Sequence, residues 1–168
     1  EIHEVLSSMQ TLKLNEKNPV IYEIFEEFDT PANSRNRLDY DEFVDMLIFD
    51  ALIFNEDRHF GNFGIIVDNK TNKPCAFAPI FDNGLSLFNY AMIDDLENIE
   101  EYAKTRISSY GVPFENIVRE FIMPRQKAKL RKMIGFEFEL DSNYNLPAKR
   151  MRKIEKYLQV RVAELLNL

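Results

Sequence analysis

Apolar positions along the chain recur at helical spacing almost everywhere, with one short interruption of β-type patterning. Asn18-Pro19 reads as an N-cap followed by proline at the first helical position, and Val20, Ile21, Ile24, Phe25 and Phe28 follow on one stripe. That helix is expected to stop near Asp29-Thr30-Pro31. Asp39 and Glu42 suit a capping box for a second helix. Its Phe43, Leu47, Leu52 and Phe54 are dense enough for a buried core helix ending near Phe54.

Residues 55–61 are polar and end in glycine, which predicts a loop. Phe63 to Val67 is apolar and β-branched, a short strand; residues 68–74 form a turn. Cys75 to Phe81 reads as a second strand, with Pro79 marking an edge or a strand end. A hairpin returns its ends to one place, so Asn62 and Asp82 are expected to be neighbours. The remainder is helical: one helix over Asp94 to Lys104, then helices opened by Pro113, Pro124 and Pro147. In the last, Met151, Ile154, Leu158, Val162 and Leu165 fall on one stripe. No internal repeat or linker is visible. The expected fold is therefore mainly α with a small β-hairpin, a single domain over residues 1–168.

Composition narrows the function. With 168 residues, 45% of them hydrophobic and 14 of them Phe, the chain can bury a substantial core. The formal net charge of -7 disfavours direct nucleic-acid binding. Basic clusters do occur at Arg125 to Lys132 and Lys149 to Lys153, where they read as solvated helix faces. Cys75, the single cysteine, excludes an intrachain disulfide and reads as a small core residue. No apolar run approaches the roughly 18 residues that span a bilayer, so no membrane partner is expected and the predicted location is cytoplasmic.

The chemistry concentrates in Asn55-Glu56-Asp57-Arg58-His59-Phe60-Gly61-Asn62 and, beyond the hairpin, in Phe81-Asp82-Asn83-Gly84. Each polar residue alone is an ordinary turn or cap residue. Together they supply an Asp able to contact a substrate hydroxyl, and an Asn and a second Asp able to hold magnesium. Phosphoryl transfer needs those roles, because it runs mostly on positioning and charge neutralisation. Burying Asp57 and Asp82 side by side would be costly without a counter-charge, which magnesium would provide. Zinc is disfavoured, since His3 and His59 are the only histidines and lie far apart in sequence.

From about Phe43 to Phe88, this pattern resembles HipA-like Ser/Thr kinases, in which Asn-x-Asp-x-His-x-x-Asn precedes an Asp-bearing metal loop. The resemblance implies the C-terminal lobe of a protein-kinase-like fold, with catalytic loop 55–62 and metal loop 81–84. It implies Asp57, His59 and Asn55 as the catalytic-loop residues: Asp57 faces the substrate hydroxyl and Asn55 holds the loop. It implies Asn62 and Asp82 as the magnesium and nucleotide ligands. ATP and Mg2+ are then the cofactors, and a protein Ser or Thr hydroxyl is the acceptor. Ala78-Pro79-Ile80-Phe81-Asp82 is similar to the Ala-Pro-aromatic-Asp run of that family. Asp-Arg-His-x-x-Asn followed by Asp-x-Gly also resembles phosphatidylinositol-3/4-kinases, and Arg58 and Gly84 lean that way.

The departure lies upstream. No glycine precedes Gly61, and neither Lys13 nor Lys17 falls on a predicted strand, so no phosphate lid or pairing lysine is legible. The start at Glu1 is read as a truncation, with the N-terminal lobe of the same protein as a missing partner; the alternative is a degenerate protein that kept the site and lost the lid. The isolated lobe is expected to fold, to transfer phosphate poorly or not at all, and to expose apolar surface near Ile65 and Ile80. Two alternatives stand beside the protein kinase: a lipid or small-molecule kinase lobe, and a non-catalytic toxin-antitoxin-type module with an antitoxin-like partner.

Overall fold

The computed structural model describes residues 36–168; the helix expected over residues 19–28 lies outside them. Helix α1 (Asn36–Ile53) is the axis of the fold. It begins at Asn36, one turn before the expected capping box, so Asp39 is a helical residue and not a cap. Phe43, Val44, Met46, Leu47, Ile48, Ala51 and Leu52 are all buried, which covers most of its circumference. A helix apolar on so many sides is stable only when surrounded, and the described elements that follow pack around it.

The hairpin follows as strands β1 (Ile65–Asp68) and β2 (Lys73–Phe77), antiparallel. Both differ from expectation by a few residues. Strand β2 stops two residues before Pro79, although the Ala78 N–H still donates to the Gly64 carbonyl at 2.8 Å. A bulge falls at Ile66/Val67, where Val67 pairs with Pro74 and Ile66 with Ala76, leaving Cys75 as the extra residue. Pro74 has no N–H for the ladder, which suits it to that irregularity. Cys75 is exposed, correcting the expectation of a core residue. The root of the hairpin is fixed by Phe43 of α1, whose ring lies 5.6 Å from Phe63 and 6.3 Å from Phe77.

Two short helices, α2 (Ile93–Glu97) and α3 (Ile99–Lys104), replace the single one expected. Asn98 separates them at φ -119°, ψ 45°, and its carbonyl accepts from the Glu101 and Tyr102 N–H groups that open α3. Asn favours helix boundaries over interiors. Helices α4 (Phe114–Phe121), α5 (Pro124–Arg131) and α6 (Ala148–Leu166) start where the prolines predict. The α6 stripe is buried at Ile154, Leu158, Val162 and Leu165, with Tyr157 and Arg161 beside it.

The basic clusters are largely exposed, as expected, and several of their members also pair across helices at the surface. Arg125 pairs with Asp41 and Asp45, and Lys129 with Asp45, tying α5 to α1. Lys149 and Lys153 both reach Glu97, tying α6 to α2. Ile65 and Ile80 are half-buried; the exposed apolar residues near the hairpin are Ile66, Val67 and Phe81. Among the described residues, no helix is long and apolar enough to cross a membrane.

Candidate functional site

The polar loop begins at a fixed point. Phe54 follows α1 with φ 54°, and the Asn55 N–H donates to the Asp50 carbonyl at 3.0 Å. This is a Schellman-type helix end with Phe where glycine is usual. The left-handed conformation costs a phenylalanine about 1 kcal/mol, which burial of its ring offsets. The ring sits 4.9 Å from Phe88, 5.4 Å from Phe114 and 4.3 Å beneath the Arg161 guanidinium. The chain therefore leaves α1 in a set direction, and Asp50, one turn back, faces the loop that follows.

Asp50 was not singled out from the sequence. It is 4% exposed and bound by Arg58: Nε donates to Oδ2 and Nη2 to Oδ1, both at 2.9 Å. Asn55 Nδ2 donates to the same Oδ1 at 3.1 Å. Burial raises the Asp50 carboxyl above its ordinary value, against the opposing pull of Arg58 and Asn55. The signal was legible: an acid stands inside Leu47-Ile48-Phe49-Asp50-Ala51-Leu52-Ile53, where burial demands a counter-charge. Arg58 is the nearest cation downstream.

Arg58 is itself 1% exposed. Beyond Asp50, Nη1 donates to the Asn62 carbonyl at 2.5 Å and to the Phe81 carbonyl at 2.6 Å. Nη2 donates to Asn83 Oδ1 at 2.6 Å. The expected meeting of the two hairpin ends is thus found at the backbone: the carbonyls of Asn62 and Phe81 share one nitrogen. Ser109 Oγ supports the loop from behind by donating to the Arg58 carbonyl at 2.9 Å. The Tyr110 hydroxyl is buried without a hydrogen-bond partner among the described residues, and burial, reinforced by the Asp50 charge, raises it far above its ordinary value.

The residues proposed from the sequence fall around this strap. Asn55 is buried and accepts the Asp57 N–H on Oδ1 at 3.1 Å. Asn62 is buried and donates from Nδ2 to the Asp57 carbonyl at 2.7 Å. Its Oδ1 accepts no hydrogen bond among the described residues. His59 is exposed and caps the 3-10 turn Phe60–Asn62, its Nδ1 accepting the Gly61 N–H at 3.0 Å. Glycine leaves room for that contact: a Cβ at position 61 would lie 3.0 Å from His59 Cε1, so the ring would have to give by a few tenths of an ångström. The proton of a neutral His59 is accordingly on Nε2, facing away from the cap.

Asp57 is half-buried and Asp82 is exposed, so the expected burial of the two carboxylates does not occur. The buried acid of this region is Asp50, and its counter-charge is Arg58. Asp82 adopts φ 53°, a left-handed conformation that Asp tolerates better than most residues. Neither carboxylate takes a hydrogen bond or ion pair among the described residues. Beside them, Glu56 pairs with Arg106 at 3.4 Å, and Arg106 lies over the Tyr102 ring at 4.4 Å.

No cluster of three or more His, Cys, Asp or Glu side chains suited to a metal occurs among the described residues. Magnesium takes few protein oxygens and completes its shell with water and phosphate, so the residues that would hold it are the Asn62 amide oxygen and the Asp82 carboxylate. Two cavities lined by described residues lie elsewhere. One of 490 Å³ is bordered by Glu97, Ile99, Lys153 and Tyr157; an apolar one of 240 Å³ is bordered by Ile48, Phe49, Ile80 and Leu130. Compared with known proteins, the chain matches no family model, and no curated protein or solved structure matches it.

Proposed function

We propose that this chain carries the phosphoryl-transfer site of a HipA-like kinase, forming the C-terminal catalytic lobe of a protein-kinase-like fold. The observation that supports this reading most is the pair of unpartnered carboxylates, Asp57 and Asp82, on two loops laced together by Arg58. Structural carboxylates on loops usually satisfy themselves with nearby N–H groups, as Asp68 does here with Thr71 and Lys70. Asp57 and Asp82 do not, and that leaves their oxygens for ligands.

In this reading Asp57 accepts a hydrogen bond from the attacking Ser or Thr hydroxyl, orients it, and takes up its proton. Asn62 and Asp82 hold the magnesium, which neutralises phosphate charge when bound. Asn55 fixes the Asp57 backbone, and His59 shapes the turn between Asp57 and Asn62. The Asp57-Arg58-His59 sequence and the central place of Arg58 favour a second reading, a phosphatidylinositol-type lipid kinase using the same groups.

The test is phosphate transfer from labelled ATP with magnesium, by protein containing residues 1–168, offered mixed protein acceptors in one arm and phosphatidylinositol vesicles in another. Label on Ser or Thr that disappears in Asp57→Ala supports the protein-kinase reading. Label on the lipid alone moves the assignment to the second reading. Turnover unchanged by Asp57→Ala removes both.

A further inference from the structure

Arg58 offers five N–H groups in a rigid plane, and the fold supplies an acceptor for each. Two go to Asp50 at the end of α1; the other three go to the Asn62 carbonyl, the Phe81 carbonyl and Asn83 Oδ1. The last three flank Asn62 on one loop and Asp82 on the other. Three further hydrogen bonds join these stretches: Asn55 Nδ2 to Asn83 Oδ1 at 3.5 Å, the Glu56 N–H to the Leu85 carbonyl at 3.3 Å and, further from the site, the Leu87 N–H to the Ile53 carbonyl at 2.7 Å. The guanidinium contacts at 2.5–2.6 Å are the tighter strap.

We propose that Arg58 is a positioning residue: anchored on Asp50, it sets the Asp57–Asn62 loop against the Asp82 loop before any cation or nucleotide arrives. Asp57 and Asp82 carry like charge on the two loops, and that charge works against drawing the loops together. A buried cation that bonds the backbone between them opposes that tendency without occupying their side-chain oxygens. Arginine is required over lysine, since an ammonium on a flexible stem has three donors and cannot meet five acceptors in one plane.

Loop coupling in this sense is independent of the reaction; only its purpose rests on the phosphoryl-transfer reading. The experiment therefore has two arms. The first follows amide exchange by NMR, metal-free, in the wild type, in Arg58→Lys and in the pair Asp50→Asn with Arg58→Gln. The double variant removes both charges together, so no buried carboxylate is left alone if the single variant fails to fold. The Glu56, Asp57 and Asn62 amides should exchange about tenfold faster or more while α1 and α6 amides stay near wild type, as expected for local opening. Unchanged loop exchange in a folded variant overturns the proposal. So does uniform acceleration through the whole chain, which would make Arg58 a stability residue only.

The second arm measures Mn2+ binding by water-proton relaxation, with Mn2+ standing in for magnesium. Binding that weakens in Arg58→Lys while helical content and Tm hold supports the positioning role. Equal binding in both overturns it. A wild type that binds no Mn2+ removes the metal-site reading, and the exchange arm still decides the role of Arg58.

Discussion

Asn62 donates its side-chain amide to the backbone carbonyl of Asp57 at 2.7 Å, so one contact ties the carboxylate-bearing turn to the residue whose amide oxygen remains available. In the proposed kinase site that contact places the hydroxyl-facing and metal-facing groups on one rigid turn.

Asp57→Ala and Asp82→Asn should each lower phosphoryl transfer by about 10²-fold or more, the scale of well-placed electrostatic groups. Asn is the cleaner replacement at position 82, since φ 53° would strain alanine there. Steady-state kinetics separate the two. Asp57→Ala should leave the Mn2+ affinity near wild type, and Asp82→Asn should weaken it. The opposite pattern would exchange the two assignments.

His59→Ala removes the acceptor of the Gly61 N–H, and Gly61→Ala crowds the same ring. If His59 acts through the cap, both substitutions should reduce turnover by a similar modest factor, about tenfold. A far larger loss in His59→Ala than in Gly61→Ala would show that its ring takes part in proton transfer.

Sequence periodicity located the helices well where a proline or a dense apolar stripe marked them, as at Pro124 and along Ile154 to Leu165. It failed at Asn98, because the stripe from Leu96 to Ala103 continues across a residue whose backbone leaves the helix. The hairpin was legible, but its register was not: that depends on how Pro74 and Cys75 share one partner across the bulge. In the site, Asp57, Asn62 and Asp82 were visible as a spaced set of polar residues. Their organiser was legible only in part: Asp50 stands out as an acid in an apolar run, but its pairing with Arg58 needs the helix end at Phe54 to turn one toward the other. Nothing in the spacing alone distinguishes Arg58 from a solvated arginine.

Arg161 is 2% exposed, lies over Phe54, and donates from Nε to the Ala51 carbonyl at 3.1 Å. Its partners Glu115 and Glu164 are themselves partly exposed. Arg161→Ala should cost about 2–3 kcal/mol, through lost packing and the lost bond to α1. Arg161→Met should recover much of that, because the volume is kept and the carboxylates can turn to solvent. Thermal unfolding of the two variants side by side tests this; equal losses would place the weight on the charge.

Glu97 accepts hydrogen bonds from Lys149 and then Lys153, which lower its carboxyl from 4.5 to about 2. A depressed carboxyl stabilises the fold above its unfolded value, and the contribution fades as pH falls from about 4.5 toward 2. Urea unfolding through that window should show a shallower decline in Glu97→Gln than in the wild type. Parallel curves would mean that the pair contributes nothing measurable.

The saturation of Arg58 has an electrostatic consequence. A guanidinium whose five hydrogens are all engaged, and whose charge already balances Asp50, has nothing left for a phosphate. Arg106 is likewise balanced by Glu56. In the proposed site, Asp57 and Asp82 therefore present to an approaching polyanion negative charge that has no ion pair among the described residues. A bare nucleotide should be repelled, weakly at high ionic strength and strongly at low, whereas the metal-chelated form brings its own compensation. Order of addition then becomes a property of the protein: nucleotide titrated into chelator-treated protein should give no heat, and the same titration with Mg2+ present should. The arginine at the centre acts as an internal tie, and in the proposed site neutralising the phosphates falls to the metal.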